Sequence, residues 1–164
     1  MSSIRNEADV EWTEEQSPDG SARRSRKQLS AATGGRAIGT SLYRVPPGVR
    51  PWPRHYHLAN EESIYVLAGS GAIMIGDEKL ELRRGDYVAL PAGSAHVHQV
   101  LNESDQDLEF LCMSTMVEPD ICIYPDSAKL GVFAGAAPGG DPESSTLRTF
   151  VSVNPDLPYW EGEL

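Results

Sequence analysis

Short apolar runs separated by turn residues fill the chain between residues 38 and 115. The runs are rich in β-branched and aromatic side chains, and glycine, proline, asparagine or aspartate stands between them. No window repeats its apolar positions at the period of about 3.6 residues expected for a helix. The pattern therefore predicts an antiparallel sandwich or barrel in which helix is a minor component. The predicted strands are 38–45, 54–57, 63–68, 72–75, 79–84, 87–90, 96–101 and 108–115.

The two ends of the chain have a different composition. Residues 1–30 are polar, with an acidic stretch and then a basic patch at 23–27, which predicts an arm preceding the domain. Beyond residue 118 prolines and glycines multiply, and one strand-like run remains at 147–153. We expect a polar N-terminal arm (1–30), a barrel (31–118) and a C-terminal extension packing on the barrel (119–164).

Charge restricts the partners of the protein. The 164 residues include 14 Lys and Arg against 24 Asp and Glu, for a net charge of −10. Such a surface is poorly suited to a phosphate backbone or an anionic membrane, and no apolar run approaches the ~20 residues that span a bilayer. We expect a soluble, cytoplasmic protein that binds neither nucleic acid nor membrane. The cysteines, Cys112 and Cys122, are interpreted as buried, reduced thiols.

All four histidines fall in two His-x-His pairs, His55/His57 and His96/His98, and Glu62 follows the first pair by five residues. Side chains at i and i+2 of a strand project from the same face, so each pair can direct two imidazoles to one point. Imidazole with carboxylate is a ligand set for Zn, Fe, Mn, Ni, Co or Cu. The sequence therefore predicts a site for one divalent metal ion, without identifying the metal.

These residues resemble the two motifs of the cupin family. The first motif is matched by Gly48, His55-Tyr56-His57, Glu62 and Gly69, and the second by Gly85, Pro91-Ala92-Gly93 and His96. The resemblance implies a double-stranded β-helix, the jelly-roll barrel of the cupins, with N- and C-terminal extensions. It also implies that His55, His57, Glu62 and His96 are the metal ligands.

Three departures from the motifs bear on this assignment. Six residues separate Gly48 from His55 where the family usually has five, which a loop absorbs. Glu61 and Glu62 are adjacent, and the six-residue gap to Gly69 selects Glu62. The asparagine usually found four residues after the second-motif histidine is replaced by Val100, while Asn102 lies two residues further on.

His98 is the candidate catalytic residue. It lies two positions after His96 and would share its strand face, where it could act as a general acid/base, a substrate donor or a group that supports a ligand. The alternative is an imidazole hydrogen-bonded in the barrel wall without chemistry. The sequence leaves these roles open.

Three functions fit a metal site of this kind. The chain resembles small single-domain bacterial cupins commonly described as sugar-phosphate isomerases, in which metal and base would move a proton between adjacent carbons. An iron dioxygenase and a non-catalytic metal-dependent binding module are the alternatives. Basic residues in the pocket, with Arg44, Arg50 and Arg54 as candidates, favour the isomerase, and an aromatic, apolar pocket favours the dioxygenase. We expect a small-molecule substrate and a homodimer paired through edge strands.

Overall fold

A computed structural model of the protein describes residues 3–153, and β-strands dominate it. The strands are β1 Thr13–Gln16, β2 Arg23–Gln28, β3 Ile38–Val45, β4 Tyr56–His57, β5 Glu62–Ala68, β6 Ser70–Ile75, β7 Glu78–Arg83, β8 Tyr87–Leu90, β9 His98–Leu101, β10 Leu108–Thr115, β11 Asp120–Tyr124, β12 Lys129–Ala134 and β13 Leu147–Ser152. The prediction of an all-β fold is confirmed.

Helical structure is limited to short pieces in the described residues. One α-helix, α1, spans Leu29–Thr33 and ends at Gly34, whose left-handed conformation (φ 78°) terminates it. The 3-10 turns are Glu7–Asp9, Ser94–His96, Pro125–Ser127 and Pro142–Ser144. Among residues 3–153, no helix is long and apolar enough to cross a membrane.

The strands form three antiparallel sheets. The largest has the order β1-β2-β3-β10-β5-β8, the second β13-β12-β11-β4, and the third β7-β6-β9. Neighbours in the sheets are often distant in sequence, as in the pairing of β3 with β10. Such non-local pairing is the topology of a double-stranded β-helix, in which the chain winds between facing sheets.

The hydrophobic core lies between the six-stranded and the three-stranded sheets. Alternate residues of each strand supply it, because side chains at i and i+2 project from the same face. Its buried members are Val45, Val49, Ile64, Val66, Ile73, Leu82, Leu90, Val100, Leu108 and Phe110. Tyr43, Trp52 and Cys112 are partly buried and pack against this core, which places them on the inner face of the barrel.

Both ends of the chain add strands to the sheets. β1 and β2 come from the polar arm and extend the largest sheet beyond β3. β11, β12 and β13 come from the C-terminal extension, and β11 pairs with β4. The predicted run at 147–153 corresponds to β13 at Leu147–Ser152. The part of the predicted extension after residue 153 lies outside the described residues.

Candidate metal centre

His55 and His98 meet across an antiparallel bridge. His55 directly precedes β4 and His98 opens β9, and the backbone N–H of each donates to the carbonyl oxygen of the other, at 3.0 and 2.8 Å. Residues directly opposite in an antiparallel pair project to the same side. Their rings therefore lie close together, with centroids 4.6 Å apart.

His57 and Glu62 complete the group. His57 follows His55 by two residues, so both project from one face, and their ring centroids are 5.3 Å apart. Glu62, the first residue of β5, places Oε2 3.4 Å from Nε2 of His57 and 3.3 Å from Nε2 of His98. The ligand atoms of His55, Glu62 and His98 all lie within 4.8 Å of one another. We call His55, His57, Glu62 and His98 the histidine cluster.

Each imidazole of the histidine cluster faces an oxygen atom at its Nδ1. The Nδ1 of His55 lies 2.9 Å from the backbone oxygen of Pro53. The Nδ1 of His57 lies 2.6 Å from the carboxylate of Asp120, and that of His98 lies 2.9 Å from the backbone oxygen of His96. A carbonyl or carboxylate oxygen can only accept a hydrogen bond, so the hydrogen must be on Nδ1. This arrangement leaves each Nε2 available as a ligand atom.

Burial and charge shift the pKa values of these groups. Burial first, and then the neighbouring His98, lower the pKa of His55 to about 4. Burial also disfavours the charged form of His57, but its hydrogen bonds, that to Asp120 first, outweigh burial and raise its pKa to about 12. Burial alone would raise the pKa of Glu62, whereas its hydrogen bonds with the imidazoles hold that pKa below its usual range. The cluster therefore requires positive charge beside Glu62, which a proton or a cation can supply.

Asp120 and Cys122 support His57 from β11. Cys122 is the register partner of His57, and Asp120 lies two residues earlier on the same face of the strand. The Asp120 carboxylate is buried, and its second oxygen accepts the backbone N–H of Ala59 at 3.0 Å. Cys122 Sγ lies 3.2 Å from Nδ1 of His57. Sequence reasoning missed Asp120, and its alternation with Cys122 in an otherwise apolar run was the available signal.

The structure brings together His55, His57 and Glu62, as the resemblance implied, but it places His98 rather than His96 in the fourth position. The reason is local: Ser94–His96 forms a 3-10 turn and the strand begins only at His98. His96 is half-buried and contributes its backbone oxygen to His98. The available signal was Asn102, which follows His98 by four residues and is buried with Nδ2 donating to the Val45 oxygen at 2.8 Å.

Of the three arginines considered from the sequence, two form ion pairs with acidic residues and the third is exposed. Arg44 binds Glu109 at 2.7 Å, and Arg54 lies 3.3 Å from Asp77. Arg50 is exposed. Glu61 is exposed as well, as expected of the acidic residue that the spacing does not select.

The fold and the site together define a β-barrel that directs a cluster of imidazoles and a carboxylate into its interior. Residues 41–114 match the model of the cupin domain. The match to the cupin domain covers fewer than half of the 164 residues and includes every residue of the histidine cluster.

Solved structures of similar fold can be superposed on most of the chain. A structure from Acidithiobacillus ferrooxidans, provisionally named a sugar phosphate isomerase, has a TM-score of 0.77 and 23% identity, covering 92% of this chain and 90% of that one. A cupin-superfamily sugar phosphate isomerase from Silicibacter pomeroyi has a TM-score of 0.74 and 24% identity, covering 93% and 94%. At these identities the likeness establishes the fold.

A curated relative from Methanocaldococcus jannaschii, an uncharacterized protein, is 33% identical over 60 residues, which are 37% of this chain. The match spans 46% of the relative's length, and that of a second relative, from Aquifex aeolicus, spans 40%. The chain thus matches less than half of the length of these curated relatives.

Proposed function

We propose that the histidine cluster binds one divalent metal ion through Nε2 of His55, His57 and His98 and the carboxylate of Glu62. The observation that carries this proposal is the oxygen partner at every Nδ1, which leaves three Nε2 lone pairs facing one carboxylate. Lone pairs and a carboxylate repel one another unless a proton or a cation lies between them, and a divalent ion can satisfy all four groups at once. Three nitrogens and one oxygen suit the borderline metals Zn, Fe, Mn, Ni, Co and Cu.

His98 serves in this proposal as a ligand and not as a proton shuttle. Its Nδ1 already donates to the His96 oxygen, and its Nε2 faces Glu62. Neither ring nitrogen is then free to exchange a proton with a substrate. Because of this geometry, we replace the general acid/base role considered for His98 from the sequence with that of a metal ligand.

The pair His98→Ala and His96→Ala tests the ligand set. We expect protein carrying His98→Ala to lose most of its metal, because one of four ligand atoms is removed, whereas His96→Ala should retain it, because only the backbone of His96 is used. Elemental analysis after purification without added metal measures both. The reverse result, with metal lost in His96→Ala and kept in His98→Ala, would restore the assignment made from the sequence.

For the reaction, we propose the isomerisation of a sugar phosphate. Two features support it: the similar fold of the Silicibacter pomeroyi protein, which is named a sugar phosphate isomerase, and arginine side chains on the inner face of the largest sheet, described below. A bound divalent ion would polarise a hydroxyl or carbonyl oxygen of the substrate. The barrel residues would orient the substrate, and the apolar core beneath the cluster would exclude water.

The second candidate is an iron dioxygenase. It is favoured by the aromatic cluster of Tyr43, Trp52 and Phe110, whose ring centroids lie 5.2 to 6.2 Å apart on the inner face of the barrel. An aromatic pocket suits an apolar substrate better than a sugar.

An anaerobic assay with five- and six-carbon aldose and ketose phosphates distinguishes the isomerase from the dioxygenase. The protein is assayed with its native metal, and the Glu62→Gln variant is the inactive control. We expect isomerisation that needs no dioxygen and is lost in Glu62→Gln. Failure with every sugar phosphate, combined with substrate-dependent oxygen uptake in air, would favour the dioxygenase, and the absence of both activities would leave a binding module.

A further inference from the structure

The strand β2 of the N-terminal arm contributes to the inner face of the barrel. In the register of the largest sheet Arg26 pairs with Tyr43, Tyr43 with Phe110, and Phe110 with Val66. Directly paired residues project from the same face of a sheet. Glu62 lies four residues before Val66 on β5, so it shares this face. Arg26 therefore projects into the same interior as the histidine cluster.

A row of polar side chains runs from Arg26 to the cluster. Nε of Arg26 donates to the Ser41 hydroxyl at 3.0 Å. Ser41 pairs directly with Cys112, and Cys112 Sγ lies 4.0 Å from Oε1 of Glu62. Three strand spacings of about 4.8 Å separate β2 from β5, or roughly 14 Å along the sheet before its curvature and the arginine side chain shorten the distance. A molecule that contacts both the arginine and the histidine cluster would have to span this distance.

Arg24 and Arg26 together hold a carboxylate. Arg24 lies 2.6 Å from Oε2 of Glu15, and Arg26 lies 3.7 Å from its Oε1. Arg24 also stacks over the Trp52 ring at 5.2 Å, and Arg26 lies over the Tyr43 ring at 5.7 Å. Guanidinium groups held against aromatic rings and shared by one acidic group form a typical site for a phosphate or carboxylate.

Two hydrogen-bond donors at this place lack an acceptor. Nε of Arg24 and Nε1 of Trp52 are buried, and neither has a hydrogen-bond partner in the described part of the chain. A buried donor without a partner destabilises a protein by about 1–3 kcal/mol. Both donors belong to side chains in contact with each other. An oxygen-rich ligand beside them would remove this deficit.

We propose that Arg24, Arg26 and Trp52 bind the anionic group, a phosphate or a carboxylate, of a small organic substrate, and that Glu15 occupies this position when the substrate is absent. The inference rests on the proposed function only for the reaction at the histidine cluster. Binding of the anion itself does not depend on the metal. Glu15 thus acts as an internal competitor, because its carboxylate binds the guanidinium groups that the substrate needs.

Calorimetric titration with inorganic phosphate and with acetate tests this inference. It is done on the protein as purified and again after chelation, because phosphate can bind a metal ion directly. We expect Arg26→Gln and Arg24→Gln to weaken binding at least tenfold. We expect Glu15→Gln to tighten binding severalfold, a gain that a folding defect cannot produce. The tighter of the two probes identifies the anion.

Arg23→Gln is the matched control, since Arg23 is an exposed residue of the same strand that projects from the opposite face. Its affinity for the anion should equal that of the unaltered protein. The inference is overturned if neither probe binds to the unaltered protein or to Glu15→Gln, or if Arg23→Gln weakens binding as much as Arg26→Gln does.

The failure of this inference and that of the proposed function are distinguishable. We expect the arginine variants to keep their full metal content and to show a raised KM for the substrate. Loss of metal in those variants would mean that the arginines support the metal centre, which contradicts the anion site. Anion binding without any isomerisation would instead contradict the proposed reaction and leave the anion site standing.

Discussion

A charged side chain orients one of the three imidazoles, whereas backbone oxygens orient the other two. Asp120 Oδ2 accepts the Nδ1–H of His57 at 2.6 Å, and its other oxygen is fixed by the N–H of Ala59. A carboxylate behind an imidazole ligand fixes the ring and makes its Nε2 a stronger donor to a metal. His57 should therefore depend on a residue that does not itself contact the metal.

The variant Asp120→Ala should weaken metal binding by about 10- to 100-fold, the usual effect of removing such a partner. Asp120→Asn, which keeps an acceptor oxygen but loses the charge, should have a smaller effect. Competition with a chelator measures both affinities, and Asp105→Asn, at an exposed carboxylate, is the control. An affinity in Asp120→Ala equal to that of the control would mean that the carboxylate does not support His57.

At the same scale, the sequence could predict that His55, His57 and Glu62 lie close together, because their spacing is local. It could not show that His98 and not His96 joins them, because the 3-10 turn Ser94–His96 delays the start of the strand to His98. The alternation of Asp120 with Cys122 could mark it as unusual, but the sequence could not place it beside His57, because that contact depends on the pairing of β11 with β4 and joins residues 63 apart.

At the scale of elements, the connection between β5 and β6, where the chain passes from the six-stranded to the three-stranded sheet, depends on Gly69. This residue has φ 75°, and a Cβ atom added to it would lie 2.2 Å from the backbone oxygen of Asp107. Gly76, in the turn between β6 and β7, has φ 58° but nothing within 4 Å of an added Cβ. Comparing alanine variants at the two positions therefore separates the cost of backbone strain from the cost of steric overlap.

We expect Gly76→Ala to destabilise the protein by about 1 kcal/mol, the usual strain of the left-handed region for a residue with a Cβ. Gly69→Ala adds a clash with a backbone atom that cannot move freely, so it should be at least twice as destabilising. Urea denaturation of the two variants measures the difference in the free energy of unfolding. Equal midpoints with equal slopes would show that the backbone at Asp107, just before β10, yields to the added methyl group.

The strands of the barrel were largely predictable as elements, because alternating apolar residues mark the buried face. β3, β8 and β10 have the predicted bounds. For β2 the sequence indicated only a strand-like segment at 22–37 without firm bounds, since Arg-Arg-Ser-Arg-Lys-Gln has no apolar alternation. It is a strand because β3 offers a pairing edge, and tertiary context overrides the weak local preference.

On the scale of the whole molecule, the core and the histidine cluster are separate sources of stability. The buried core of the two facing sheets contains no residue of the cluster, so the fold should persist without metal. A ligand that binds only the folded state adds stability, about 4 kcal/mol at a free concentration 1,000 times its Kd. Metal binding should therefore raise the melting temperature of an already folded protein.

Scanning calorimetry before and after chelation measures this effect. We expect the metal-free protein to melt cooperatively at a lower temperature, and we expect added metal to restore the loss. Glu62→Gln should show little or no increase on adding metal. A metal-free protein without a cooperative transition would instead mean that the ion is required for folding.

The homodimer expected from the sequence stays a prediction. β13 is the edge strand of its sheet, and it exposes the apolar side chains of Leu147, Phe150 and Val151. By contrast, the edge strand β1 carries polar and acidic residues, which disfavour pairing with another chain.

The position of β2 outside residues 41–114 has a consequence for how relatives should be compared. The segment shared with the cupin domain contains the whole histidine cluster but none of Glu15, Arg24 and Arg26. If the anion site is as proposed, proteins aligned over that segment alone would inherit a common metal chemistry while differing in what they accept as substrate. Specificity would then evolve by exchanging a leading pair of strands at a sheet edge, with the barrel itself left unaltered.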